Sequence, residues 1–207
     1  MAGCCNNKTD FTGLSSTYKR ILIIVIIINF SMFFVEMIAG SKANSQALQA
    51  DALDFLGDTL TYAASLWVIG KSLQIRSRVA LLKGLSLLLM GSWIFMSTLY
   101  KFWFIETPDA TMMGGIAILA FVANMLSVLL LIRYKEGDAN VRSVWLCSRN
   151  DAIGNLVVLI AASGVWVTES GLPDLIVATL LATLFLSSAK QIIQQANNER
   201  KQTTTCS

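Results

Sequence analysis

The chain has 207 residues, of which 55% are hydrophobic and 14% are charged. A soluble domain normally has about a quarter of its residues charged, so the composition indicates a polytopic membrane protein and not a soluble enzyme. The net charge of +3 is too small to indicate nucleic acid as a partner. Histidine is absent, which removes the side chain that most often carries protons and binds metals near neutral pH.

Six apolar segments follow a polar start, and each is close to the ~20 residues that a helix needs to cross a bilayer. They cover residues 21–40, 47–69, 81–104, 111–132, 145–168 and 172–190. We therefore predict an all-α fold with a six-helix transmembrane domain at 21–195. A cytoplasmic N-terminal tail is predicted at 1–20, and a short cytoplasmic tail without regular structure at 196–207.

Lysine and arginine concentrate in the two tails and in the connections near residues 71–83 and 133–142. The other connections contain only Lys42 and Lys101 as basic residues, and they are otherwise acidic. Because cytoplasmic loops carry the excess of basic residues, this pattern predicts that both termini are cytoplasmic. We expect a multi-pass protein surrounded by lipid bilayer, in the plasma membrane or, in a bacterium, the inner membrane.

Three carboxylates lie in the second segment. Asp51, Asp54 and Asp58 are spaced i, i+3 and i+7, so they share one face of a helix. An ionised carboxylate at the centre of a spanning helix costs about 3 kcal/mol even on mild insertion scales. The stripe therefore requires a cation, a proton, a basic partner or a water-filled cavity.

A second polar stripe lies in the fifth segment, where Cys147, Asp151 and Asn155 recur every four residues. Asp54 and Asp58 have the same spacing as Cys147 and Asp151. If helices two and five pack side by side, three carboxylates and one thiol or thiolate converge, and four such ligands suit zinc and neighbouring metals.

The run from Ser45 to Asp58, SQALQADALDFLGD, resembles the second-helix motif of the cation diffusion facilitator family. The fifth-helix pattern, Cys147-x-x-x-Asp151 followed by Asn155, resembles that family's second motif. The resemblance covers residues 20 to about 195. It implies efflux of divalent metal, mostly zinc, from the cytoplasm in exchange for protons by alternating access.

The resemblance implies that Asp54, Asp58, Cys147 and Asp151 form the transport site, and that helices three and six pack together outside that core. Position 147 departs from the family, which usually has histidine or aspartate there. There is no histidine-rich loop, and we expect a short form without the family's C-terminal cytoplasmic domain. A thiolate and carboxylates favour different metals. Zn²⁺ is the favoured cargo, with Cd²⁺, Co²⁺, Fe²⁺ and Mn²⁺ as alternatives, and no resident cofactor is expected.

A further set of polar residues is expected to support the ligands or to line the pathway: Asp51, Asn155, Asn124, Arg149 and Glu36. Asp51 either orients the site or binds the metal directly. Arg149 either reaches the cytoplasmic interface or pairs with an internal carboxylate such as Asp51.

A homodimer is expected, and Gly84 and Gly91 on helix three offer one place for close helix contact. An alternative function is a non-transporting membrane metal sensor, or an assembly partner of another transporter. Metal flux into reconstituted vesicles separates the two functions.

Overall fold

A computed structural model of the chain describes residues 16–67, 73–134 and 139–205. The described residues form six long α-helices, a short 3₁₀ turn at Ile132–Tyr134 and no strand. The helices are α1 (Ser16–Lys42), α2 (Gln46–Trp67), α3 (Leu73–Lys101), α4 (Ala110–Leu131), α5 (Ala139–Thr168) and α6 (Leu172–Thr205). The all-α prediction is confirmed.

Five of these helices are long and apolar enough to cross a membrane, and α2 is the exception. Large apolar side chains point outward along the five, as with Leu89 and Trp93 on α3 and Ile160 on α5. The three carboxylates of α2 interrupt its apolar character, and all of its residues from Gln46 to Thr59 are buried or half-buried. The chain is therefore a multi-pass integral membrane protein, and α2 is its internal helix.

Helix α2 contacts α1, α3, α5 and α6. Helix α4 packs against α5 and α1, and the most extensive helix pair is α3 with α6. A methyl group at Gly84 would lie 2.7 Å from Ile193 Cγ1, and one at Gly91 would lie 3.2 Å from Phe185 Cβ. Both glycines thus allow close approach of α6 within the same chain. The expected pairing of helices three and six is present, and it accounts for the two glycines without a second copy.

Several helices extend beyond the apolar segments seen in the sequence. Helix α3 begins at Leu73, and α5 begins at Ala139, so both extend before their apolar segments. Helix α6 continues to Thr205, although residues from 196 onward were predicted to lack regular structure. Hydropathy finds the part of a helix that lies in lipid, whereas the backbone hydrogen-bond pattern continues through polar residues outside it.

A buried carboxylate joins the start of α2 to the start of α6. Asp174 accepts hydrogen bonds from Ser45 Oγ at 2.6 Å and from the backbone N–H groups of Gln46 and Ala47 at 2.8 and 3.1 Å. The first N–H groups of a helix have no partner within it, so Asp174 satisfies two of them from another helix. This contact fixes where α2 begins relative to α6.

Further polar contacts tie the same end of the bundle. Asn44, in the left-handed region at φ 56°, accepts hydrogen bonds from Lys101 and donates one to Glu106. Ser97 Oγ donates to Gln46 Oε1 at 2.8 Å. We call these contacts, with those of Asp174, the polar junction. It joins the segment after α1, the end of α3 and the loop before α4 to the starts of α2 and α6, on the side predicted to face away from the cytoplasm.

Replacing Asp174 with alanine should destabilise the bundle more than the same change at Asp109. Asp109 is an exposed cap of α4 whose side chain accepts from Met112 N at 2.9 Å, and losing such a cap costs about 1 kcal/mol. Loss of Asp174 leaves three buried donors without an acceptor and should cost at least about 2 kcal/mol. Thermal unfolding in detergent compares D174A with D109A. Equal midpoints would contradict the role assigned to Asp174.

Candidate functional site

A cavity of about 410 Å³ lies between α2, α3, α5 and α6. Its polar lining includes four carboxylates, and its apolar lining comes mainly from α6. The carboxylates are Asp51, Asp54, Asp58 and Asp151. All four were singled out from the sequence, and the cavity is where the bundle brings the second-helix stripe to the fifth helix.

Helix α2 presents its carboxylates because their spacing matches the helical repeat. Asp54 and Asp58 are one turn apart near the middle of the helix, and both are half-buried. Gly57 lies between them in sequence, and a methyl group there would lie 3.0 Å from Leu87 Cδ2 of α3. The missing side chain therefore lets α3 approach the wall of the cavity beside the carboxylates.

Tyr62 connects the carboxylate stripe to α5. Its hydroxyl donates a hydrogen bond to Asp58 Oδ2 and lies 3.3 Å from Ser148 Oγ, and both Tyr62 and Ser148 are buried. Neither residue was predicted from the sequence. The spacing could have indicated Tyr62, because it follows Asp58 by four residues and so lies on the same face of α2.

The contact between Tyr62 and Ser148 also sets the register of the two helices. Helix α5 ends where α6 begins, and the start of α6 caps α2, so α2 and α5 run in opposite directions. Asp58 lies one turn before Tyr62 on α2, and Asp151 lies three residues after Ser148 on α5. Each step moves about 5 Å toward the same end of the bundle, which places Asp58 and Asp151 at similar heights.

Asn155 does not line the cavity. It is buried one turn after Asp151, and its amide donates to the backbone oxygen of Asp151 at 2.9 Å. Asn124 is buried on α4, also outside the lining of this cavity. Arg149 is exposed and donates to Asn150 Oδ1 at 3.3 Å, and both of its predicted roles stay predictions. Glu36 is buried on α1 beside Asp51.

Cys147 belongs to α5, but its side chain lies outside the described part of the structure. Among the described residues, no three acidic or cysteine side chains are close enough together to hold a metal ion in this conformation. Asp54, Asp58 and Asp151 instead border a shared cavity. The four-ligand set of Asp54, Asp58, Cys147 and Asp151 therefore stays a prediction.

Comparison with known proteins places this arrangement in a family. The chain is 27% identical over 202 residues to the protein named zinc transporter ZitB of Pectobacterium atrosepticum, covering 89% of this chain and 62% of that protein. It is 28% identical over 178 residues to zinc transporter ZitB of Escherichia coli, covering 80% of this chain and 57% of that protein. The chain thus spans about three fifths of the length of these relatives.

The family described as the cation efflux transmembrane domain matches residues 22–196. That match includes all four cavity carboxylates and most of each of the six helices. As the second- and fifth-helix motifs predicted, the chain belongs to the cation efflux family, the family of the cation diffusion facilitators.

Proposed function

We propose that the protein exports a divalent transition metal, with Zn²⁺ as the favoured cargo, in exchange for protons by alternating access. One observation carries this proposal. Asp54 and Asp58 of α2 border the same cavity as Asp151 of α5, inside a bundle whose outer surface is apolar. Carboxylates within a membrane domain are costly unless a cation or a proton compensates their charge.

The choice of a divalent cation follows from charge and ligand type. The three proposed carboxylate ligands carry more negative charge than a monovalent ion can compensate. Oxygen ligands alone suit magnesium, calcium or manganese, whereas a thiolate from Cys147 would shift the preference toward zinc and cadmium. Both relatives are named zinc transporters, which agrees with zinc as the first cargo to test.

Exchange for protons follows from the same oxygen atoms. A carboxylate binds metal only when it is deprotonated, so protons and metal compete for Asp54, Asp58 and Asp151. When several such groups share one cavity, their protons bind as a coupled set and not one residue at a time. Protons entering from the side of lower pH would therefore displace the metal there.

The shape of the bundle supports access from one side at a time. The cavity is lined by α6 residues from Leu181 to Ile192, which lie beyond Asp174 on the side away from the polar junction. At the opposite end, the junction joins helix ends and loops by hydrogen bonds, which would restrict access there. With both termini cytoplasmic, this conformation would receive metal from the cytoplasm, and export would require the junction to open.

Replacing Asp58 with asparagine should reduce zinc affinity at least about tenfold and abolish zinc flux, because an uncharged amide cannot replace a carboxylate ligand. Proteoliposomes with an internal zinc indicator measure flux, and calorimetry measures affinity. D109N is the matched control, since Asp109 is exposed at the start of α4. Flux in D58N equal to that of the control would exclude the proposed site, whereas binding without flux in the unmodified protein would support the non-transporting alternative.

Replacing Tyr62 with phenylalanine should weaken zinc binding about tenfold without unfolding the protein, because Asp58 loses the hydroxyl that orients it. The ring that packs with Leu22 and Leu131 stays in place. Y100F is the control, because Tyr100 is exposed on α3. Unchanged affinity in Y62F would show that Asp58 does not depend on this hydrogen bond.

Zinc affinity should fall as the pH is lowered from about 7 to about 5, because protons occupy the carboxylate oxygens that the metal requires. Metal binding releases protons, so added protons oppose it and zinc affinity falls as the pH falls. Calorimetry in buffers of different ionisation enthalpy gives both the affinity and the number of protons released. An affinity that stays constant over this range would rule out competition between protons and metal.

A further inference from the structure

A pair of carboxyl groups lies outside the proposed ligand set. Glu36 of α1 is 0% exposed and Asp51 of α2 is 3% exposed, and their carboxyl groups are neighbours. Glu36 occupies the buried face of α1, one turn beyond Met32. The pair therefore sits inside the bundle at the contact between α1 and α2, and only Asp51 also borders the cavity.

The pair lacks donors. Within the described residues, neither oxygen of Glu36 nor Oδ2 of Asp51 has a hydrogen-bond partner. An ionised carboxylate only accepts hydrogen bonds, so two ionised groups in this position would repel each other with nothing to compensate them. A proton on one carboxyl group removes a charge and supplies the missing donor at the same time.

The surrounding charges add to this requirement. The charged groups that act on Glu36 are Asp51 and Asp54, and both are negative. Asp58 and Asp151, which border the same cavity as Asp51, are also acidic. Helix α4, which packs against α1, has no charged residue from Ala110 to Leu131, and the basic residues of α1 lie at its two ends.

The packing beside the pair favours a proton over a metal ion. Gly40 follows Glu36 by one turn, and a methyl group there would lie 3.0 Å from Leu48 Cβ and 3.1 Å from Gln49 Cγ. Helices α1 and α2 are thus in close contact next to the pair. A divalent ion at a site with two carboxylates would require additional ligands or water molecules, whereas a proton requires no additional volume.

We propose that Glu36 and Asp51 share one exchangeable proton, and that this pair is a proton-binding site separate from the metal ligands. The inference rests on the proposed function for its role in transport. Because Asp51 borders the cavity, a divalent ion bound there favours the fully ionised pair, and the proton leaves through the cavity as metal enters. When the proton returns, one carboxyl group of the pair becomes neutral again. Because binding of the proton and of the metal is coupled, the returning proton weakens metal binding.

The variant E36Q tests the site. The glutamine amide can donate to Asp51 and so replaces the hydrogen bond of the shared proton without carrying a titratable group. We expect E36Q to bind Zn²⁺ while releasing about one proton fewer per ion than the unmodified protein. A pH-indicator dye in weakly buffered detergent solution counts the protons. E169Q, which alters an exposed carboxylate, is the control and should release the unmodified number.

Infrared spectroscopy tests the pair without metal. The unmodified protein and E169Q should show a protonated-carboxyl band at neutral pH that E36Q lacks. If E36Q does not fold, D51N is measured in the same way and should also lack the band. Absence of the band from the unmodified protein, its persistence in E36Q, or an unchanged proton count in E36Q would each overturn the inference. A protein that binds no zinc, but whose band is present and is lost in E36Q, would refute the proposed function and leave the proton pair established.

Discussion

The charge of Asp51, Asp54 and Asp58 has to be compensated inside a membrane domain, and much of the architecture follows from this constraint. A helix with three carboxylates on one face cannot face lipid without a large energetic cost. The bundle therefore surrounds α2 with four other helices and leaves a cavity along the carboxylate face. The other five helices face the bilayer, and their outward side chains are large and hydrophobic.

Two kinds of contact hold α2 in this position. At one end Asp174 caps the helix from α6, and at the other Tyr62 connects Asp58 to Ser148 of α5. The first contact belongs to the polar junction and would have to change if the bundle opened on that side. The second contact lies at the cavity, and it would change if α2 and α5 shifted relative to each other. A transport cycle can therefore couple the geometry of the site to the state of one end of the bundle.

The sequence predicted the elements and the acidic face better than the contacts between them. Helical spacing alone placed Asp54 and Asp58 on one face, and composition alone indicated a membrane bundle. Asp174 could not be assigned as the cap of α2, because 128 residues separate it from Gln46 and only the fold brings them together. The contact of Glu36 with Asp51 was missed for the same reason, since each residue taken alone resembled a pathway carboxylate. The extension of α6 to Thr205 was missed because its polar residues carry no hydropathy signal.

The proposed transport mechanism requires that one ion is held jointly by α2 and α5. Crystals of the zinc-loaded protein, with the metal located by its anomalous scattering, test this directly. We expect a single zinc position with carboxylate oxygens of both Asp58 and Asp151 at about 2.0–2.2 Å. Zinc bound only to residues of one helix, or located away from the cavity, would contradict the account.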